Sequence, residues 1–257
     1  MIDTHAHLYA EEFDSDRDAV IERAKAAGVT NIILPNIDSS SLDAMLKLEE
    51  KHPGFCHAAI GLHPTSVNAD YQRELNLIES ELKRRPYLAI GEIGIDLYWD
   101  KTYAKEQILA FQQQLKWALA YNKPVIIHVR NSFRETMHAM EPFRNRGLRG
   151  VFHSFGGTIE EATEIIEFGG FLLGINGIVT FKNSTLGGVI KQTDLRQIVL
   201  ETDAPYLTPV PYRGKRNESA FLSYTAHQIA SLQSISYEAV VKQTTKNALN
   251  LFKISSK

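Results

Sequence analysis

Eight short, continuous apolar runs, separated by stretches of helical spacing, limit what this chain can fold into more than any other feature. They lie at the start of the chain, before residue 9, and at residues 29–35, 55–61, 87–92, 124–129, 150–153, 171–175 and 197–203. The runs do not alternate apolar with polar residues, which is how strands of a parallel sheet covered on both faces read. Between them, apolar residues recur at helical spacing over 16–27, 39–53, 72–84, 103–121, 132–146, 158–168 and 186–193, and two further helices near 220–232 and 237–251 close the chain. Strands alternating with helices make an α/β protein. Eight such units without a linker or charge block predict one distorted (β/α)8 barrel of the TIM type, a single domain over residues 1–257. A doubly wound open sheet is the alternative, but no Gly-x-Gly-x-x-Gly turn follows the first strand.

Composition narrows the class of partner. With 44% apolar and 23% charged residues, the chain has ample material for a core. A net charge of −2 provides no overall basic field, so recognition of phosphate must be local. The single cysteine, Cys56, excludes an intrachain disulfide and fits a reducing, cytoplasmic setting. No apolar run approaches the ~18 residues of a membrane span, and cleavage of a signal peptide would remove the first strand. Nothing in the sequence marks an obligate protein partner.

The polar residues fall in a regular place. His5 and His7 are two apart in the first strand, so both are expected on one face. Glu92, His128, His153 and Asp203 sit at or near the ends of the fourth, fifth, sixth and eighth runs, and His63 follows the third. In a barrel those ends form the rim where active sites are built. Buried ionisable groups cost several kcal/mol each unless paired or bound to metal, so their clustering calls for a cationic partner. Charge balance favours two divalent ions over one. Two carboxylates and a bridging hydroxide then still leave positive charge for an anionic oxygen, and Glu92 is the expected bridge.

Those residues lie in segments that resemble the TatD family of metal-dependent deoxyribonucleases, within the amidohydrolase-like barrels. The similar segments are Asp3-Thr4-His5-Ala6-His7-Leu8, Gly61-Leu62-His63-Pro64, Gly91-Glu92-Ile93-Gly94-Ile95-Asp96, Ile127-His128-Val129-Arg130, His153-Ser154-Phe155-Gly156-Gly157, Glu201-Thr202-Asp203-Ala204-Pro205-Tyr206-Leu207 and Arg213-Gly214-Lys215-Arg216-Asn217-Glu218. Asn247-Ala248 and Leu251-Phe252 near the end of the chain are also similar. The resemblance implies 3′ to 5′ hydrolysis of DNA phosphodiester bonds. It also implies that His5, His7, Glu92 and Asp203 hold one metal while Glu92, His128 and His153 hold the other. Ser219 stands where the family often has proline and Gly156 where serine is common; neither is an expected ligand.

On this reading a water activated by metal attacks phosphorus, and Asp203 both ligates and accepts the proton. Glu201, two residues earlier, turns toward the same place as an outer orienting group or a further ligand, with a carboxylate bonded to a neighbouring backbone as the alternative. His63 is expected to meet a phosphate oxygen or the leaving group. Arg213, Lys215 and Arg216 form an expected phosphate clamp, with Arg130 a second candidate. Tyr98 and Trp99 are expected to pack against the following helix, with stacking on a base as the alternative. Four imidazoles favour zinc, manganese, cobalt, nickel or iron, whereas the resemblance points to magnesium, so the cofactor is read as two divalent ions without a fixed identity. The competing functions are another ester or amide hydrolase on the same barrel, such as a D-aminoacyl-tRNA deacylase, and a metal-binding module without catalysis.

Overall fold

The structure, a computed structural model, describes residues 1–255, and in it strand order follows chain order. β1 (Ile2–Asp3), β2 (Asn31–Pro35) and β3 (Cys56–Ala59) pair in parallel. β4 (Ile90–Asp96), β5 (Val125–Arg130), β6 (Gly150–Phe152), β7 (Phe171–Ile175) and β8 (Ile198–Leu200) form a second parallel run. Two seams join the runs. Ile60 bridges to Ile90, and Ala6 bridges to Ala204. At the second seam the Thr4 N–H also donates to the Leu200 carbonyl at 3.0 Å. The eight strands thus make a nearly closed, distorted (β/α)8 barrel.

The helices are α1 (Arg17–Ala26), α2 (Ser39–Lys51), α3 (Tyr71–Arg84), α4 (Ala104–Ala120), α5 (Phe133–Met140), α6 (Ile159–Phe168), α7 (Leu186–Ile190), α8 (Leu222–Gln233) and α9 (Tyr237–Phe252). Local chemistry sets their ends. Asp38 caps α2 in a capping box with Ser41, and Thr158 caps α6 in the same way with Glu161. α5 stops earlier than its apolar spacing predicts. Pro142 cannot continue the ladder, and a 3-10 turn over Glu141–Phe143 takes its place. Among the described residues no helix is long and apolar enough to cross a membrane.

Two apolar clusters divide the work of packing. The larger lies between the strands and the surrounding helices. The smaller gathers Ile2, Ile33, Ala59, Ala89, Ile126, Val151 and Val199, closed by Ala248, Leu251 and Phe252 of α9. It therefore fills the barrel interior at the end that α9 covers. Burying each of the larger side chains there contributes roughly 1.5–3 kcal/mol. Two residues further on, in β5 and just beyond the ends of β6 and β8, the same face carries His128, His153 and Glu201. One end of the barrel interior is thus packed with hydrocarbon, and the other holds polar chemistry.

β4 departs from its expected limits of 87–92 and runs from Ile90 to Asp96, so Glu92 lies near its start. Pairing with β5 slips between Ile90 and Ile93. Without that slip the alternation from Ala89 would aim Gly91 and Ile93 inward; with it Glu92 points into the barrel. Glycine is required here. A Cβ on Gly91 would lie 2.6 Å from Ile126 Cβ, and one on Gly94, at φ +150°, would run into the His128 carbonyl oxygen.

Candidate metal centre and substrate cavity

Glu92 is the point on which the site converges. Its side chain is almost wholly buried, and each carboxylate oxygen faces a different group of imidazoles. Oε2 lies 3.2 Å from His5 Nε2 and 3.7 Å from His7 Nε2. Oε1 lies 2.9 Å from His128 Nδ1, 3.1 Å from His153 Nε2 and 3.3 Å from His63 Nε2. Asp203 completes the first group, with Oδ1 3.6 Å from His5 Nε2 and 3.7 Å from His7 Nε2. Its backbone is held at φ +58°, a conformation that few non-glycine residues adopt. The turn is braced by Asn217, whose Nδ2 donates to the carbonyls of Thr202 at 2.8 Å and Tyr206 at 2.6 Å.

Outer hydrogen bonds decide which ring nitrogen faces the centre at His7, His128 and His63, while the buried Nδ1 of His5 and of His153 has no hydrogen-bond partner. The Tyr9 hydroxyl donates its one proton to the Pro35 carbonyl at 2.6 Å, so it accepts from His7 Nδ1 at 2.8 Å. His7 Nε2 is then a bare lone pair. Asp96 Oδ2 accepts from His128 Nε2 at 2.9 Å, which leaves Nδ1 as the lone pair toward Glu92. Glu201 Oε1 accepts from the Ser154 N–H at 2.6 Å and lies 3.3 Å from His153 Nδ1, a close charge contact without a hydrogen bond, while His153 Nε2 faces Glu92 at 3.1 Å. His63 has the opposite tautomer. Its Nδ1 accepts from the Thr65 N–H at 3.2 Å, so Nε2 carries the proton and presents a donor. Carboxylates and hydroxyls that fix imidazole tautomers in this way are the usual outer support of histidine ligands.

The donor set fits divalent metal. Inward lone pairs of His7 and His128, and the Nε2 of His153, face the anionic oxygens of Glu92, and His5 Nε2 and His7 Nε2 stand 3.1 Å apart. Such an arrangement repels itself unless cations lie within it. Three groups have ligand atoms close enough to share an ion: His5, His7 and Asp203; His63, Glu92 and His128; and His5, Glu92 and His153. Protonation equilibria register the same strain. Burial pushes His7 down to about 4, and it pushes Asp203 up to about 7, with His153 opposing and Glu92 adding to the rise. Burial would raise Glu92 too, but His153, His63 and His5 hold it well below the usual carboxylate range. His153 is held well above its ordinary value, against its own burial, by Glu92 and Glu201. Without cations the centre takes up protons in their place.

With this geometry in view, similarity to known proteins is decisive. The sequence model of the family described as "TatD related DNase" matches residues 2–253. The chain belongs to the TatD family of metal-dependent hydrolases. It is 37% identical over 256 residues to a Bacillus subtilis protein named "uncharacterized metal-dependent hydrolase YabD", covering 99% of this chain and all of that one. It is 31% identical over 258 residues to the "3'-5' ssDNA/RNA exonuclease TatD" of Pantoea ananatis, covering 98% and 99% of the two chains. The crystal structure of YjjV, a TatD homologue from Escherichia coli, superposes with a TM-score of 0.91 at 28% identity over 99% of this chain and 98% of that one.

Beside the TatD-family centre lies a cavity of about 690 Å³, lined by His7, His63, Glu92, His128, His153 and Asp203 and, toward its mouth, by Arg130, Trp99 and Tyr206. The four cations named from sequence fare differently. Arg130 lines the cavity and makes no ion pair among the described residues. Arg213 and Lys215 are exposed, over the rings of Phe181 at 4.1 Å and Tyr212 at 5.6 Å, and do not line it. Arg216 is turned away, with NH1 and NH2 each 2.8 Å from an oxygen of Asp16 and NH1 also donating to the Glu12 carbonyl. The expectation that Trp99 packs against the following helix is not met, because it is 68% exposed. Tyr9, Asp96 and Asn217 were given no role by the sequence. For Asp96, the signal was a carboxylate on β4 two strand steps beyond Glu92.

Proposed function

We propose that this TatD-family hydrolase removes nucleotides from the 3′ end of single-stranded DNA. The observation that carries the reading is the division of Glu92 between two sets of imidazoles, which suits two ions a few ångströms apart beside a cavity of nucleotide size. The name of the Pantoea relative supports the same substrate class. His5, His7, Glu92 and Asp203 would hold one ion, and Glu92, His128 and His153 the other. When bound, the ions neutralise the phosphodiester oxygens and lower the pKa of water at the cavity floor.

The remaining roles belong to this chain's own side chains. Asp203, at the floor of the cavity within 3.7 Å of His5 and His7, accepts the proton of the attacking water. The His63 Nε2–H donates to a phosphoryl oxygen or to the departing 3′ oxygen, because its other nitrogen already accepts from Thr65. Arg130, free of carboxylate partners, contacts the next phosphate along the strand. Asp96 keeps the Nδ1 lone pair of His128 on the centre, and Glu201 lies against the outer side of His153. The test uses a 5′-labelled single strand incubated with divalent metal and, in parallel, with chelator. A ladder shortening from the 3′ end that vanishes with chelator supports the reading. A ladder that survives chelation, or labelled mononucleotide released first, contradicts it.

A further inference from the structure

The mouth of the cavity carries an aromatic lip that the metal chemistry does not use. Trp99 is 68% exposed and Tyr206 53%, and both line the cavity; Tyr98, 51% exposed, stands edge-on to Trp99 at 4.9 Å. Large aromatic side chains left in water beside a polar cleft mark a contact surface rather than a core. The lip is also fixed. Asp96 Oδ1 accepts from the Tyr98 N–H at 2.9 Å and the Trp99 N–H at 3.3 Å, while its other oxygen holds His128. The Leu97 N–H donates to the Arg130 carbonyl at 2.9 Å, and the Arg130 guanidinium lies 4.0 Å from the Tyr98 ring centroid and 5.0 Å from that of Trp99. One carboxylate therefore ties the rim to a candidate metal ligand.

We infer that Trp99, supported by Tyr98 and Arg130, is a stacking platform for one unpaired nucleobase of the substrate, and that this platform makes the site select single strands. The inference rests on the nuclease reading for its substrate class. A flat indole offers a face to any base whatever its sequence. Inside a duplex both faces of a base are covered by its neighbours, and at a duplex end the base is held by its pair and by one neighbour, so only an unpaired base turns freely onto Trp99. Arg130 adds a cation next to the platform, where the phosphate attached to such a base would lie. Aromatic surface and charge are thus matched to the two halves of a nucleotide, while Glu92 and Asp203 lie deeper in the same cavity.

The test measures binding, not turnover. The full chain with divalent metal is titrated with a thymidine tetranucleotide and with an abasic tetramer of the same length, both carrying hydrolysis-resistant phosphorothioate linkages. Wild type should prefer the base-bearing tetramer. Trp99→Ala should lose that preference, by roughly 5- to 150-fold for one stacked base, and Trp99→Phe should keep most of it. Tryptophan emission gives an independent readout, since the only other tryptophan, Trp117, is buried. The thymidine tetramer should quench wild type and leave Trp99→Phe unquenched. Wild-type preference retained in Trp99→Ala, or emission unmoved by either tetramer, overturns the platform and leaves the lip as a surface for another protein. If wild type shows the preference but shortens no ordinary single strand, the nuclease reading fails and the platform stands.

Discussion

The floor of the cavity and the loop over residues 212–218 are both crowded with ionisable side chains, and they use them in opposite ways. At the floor the hydrogen bonds of His7 to Tyr9 and of His128 to Asp96 leave ring lone pairs facing the Glu92 carboxylate. In the loop, Arg213 and Lys215 are exposed over aromatic rings, and the other two charges are closed by partners elsewhere in the chain. Arg216 is paired with Asp16, Glu218 with Arg23 at 2.6 Å, and Asn217 braces the turn that carries Asp203. A charged residue near a functional centre is therefore no guide to its use until its local partners are known. By that criterion Arg130, at the mouth of the cavity and without an ion pair among the described residues, belongs to the site, and Arg216 belongs to the framework.

The contrast can be broken at several levels of effect. Glu92→Ala should have the largest, removing hydrolysis and most bound metal while the fold persists; unchanged metal content by mass spectrometry would end its bridging role. Asp96→Asn comes next. The amide can still accept from Tyr98 and Trp99, but its NH2 faces His128 Nε2 and favours the tautomer with Nδ1 protonated. Metal affinity should fall by roughly 10–100-fold, the usual cost of losing an outer partner, and an unchanged affinity would show that Asp96 does not set the tautomer. Arg130→Gln should lower the slope of log affinity for single-stranded DNA against log salt by about 0.7. The double variant Arg213→Gln, Lys215→Gln should lower it less, because neither side chain lines the cavity. Arg216→Gln should leave the slope untouched and cost about 0.5–1 kcal/mol of stability, as a partly exposed ion pair does. A slope change for Arg216→Gln equal to that for Arg130→Gln would erase the distinction between the two regions.

Much of this was legible because a barrel repeats. Once Ile126, Val151 and Val199 are read as inward-facing, the two-residue period places His128, His153 and Glu201 on the same side. The period fails where the backbone leaves the ideal strand. β1 ends at Asp3, so His5 and His7 are brought together by the seam to Ala204 rather than by pleating. Glu92 points inward only because β4 slips against β5. The clamp reading of Arg216 had no local signal against it, since its partner Asp16 is 200 residues away in sequence. Nor does sequence reveal which nitrogen a histidine presents, because the contacts that fix it at His7 and His128 are made by side chains in three dimensions.

The central claim is that the centre holds two cations shared by Glu92, one toward His5, His7 and Asp203 and the other toward His128 and His153. Anomalous diffraction from a crystal soaked in manganese tests it most directly. Two peaks flanking the Glu92 carboxylate, with His128 bound through Nδ1 and His7 through Nε2, are the expected result. A single peak remote from Glu92, or His128 rotated to bind through Nε2, would contradict the claim.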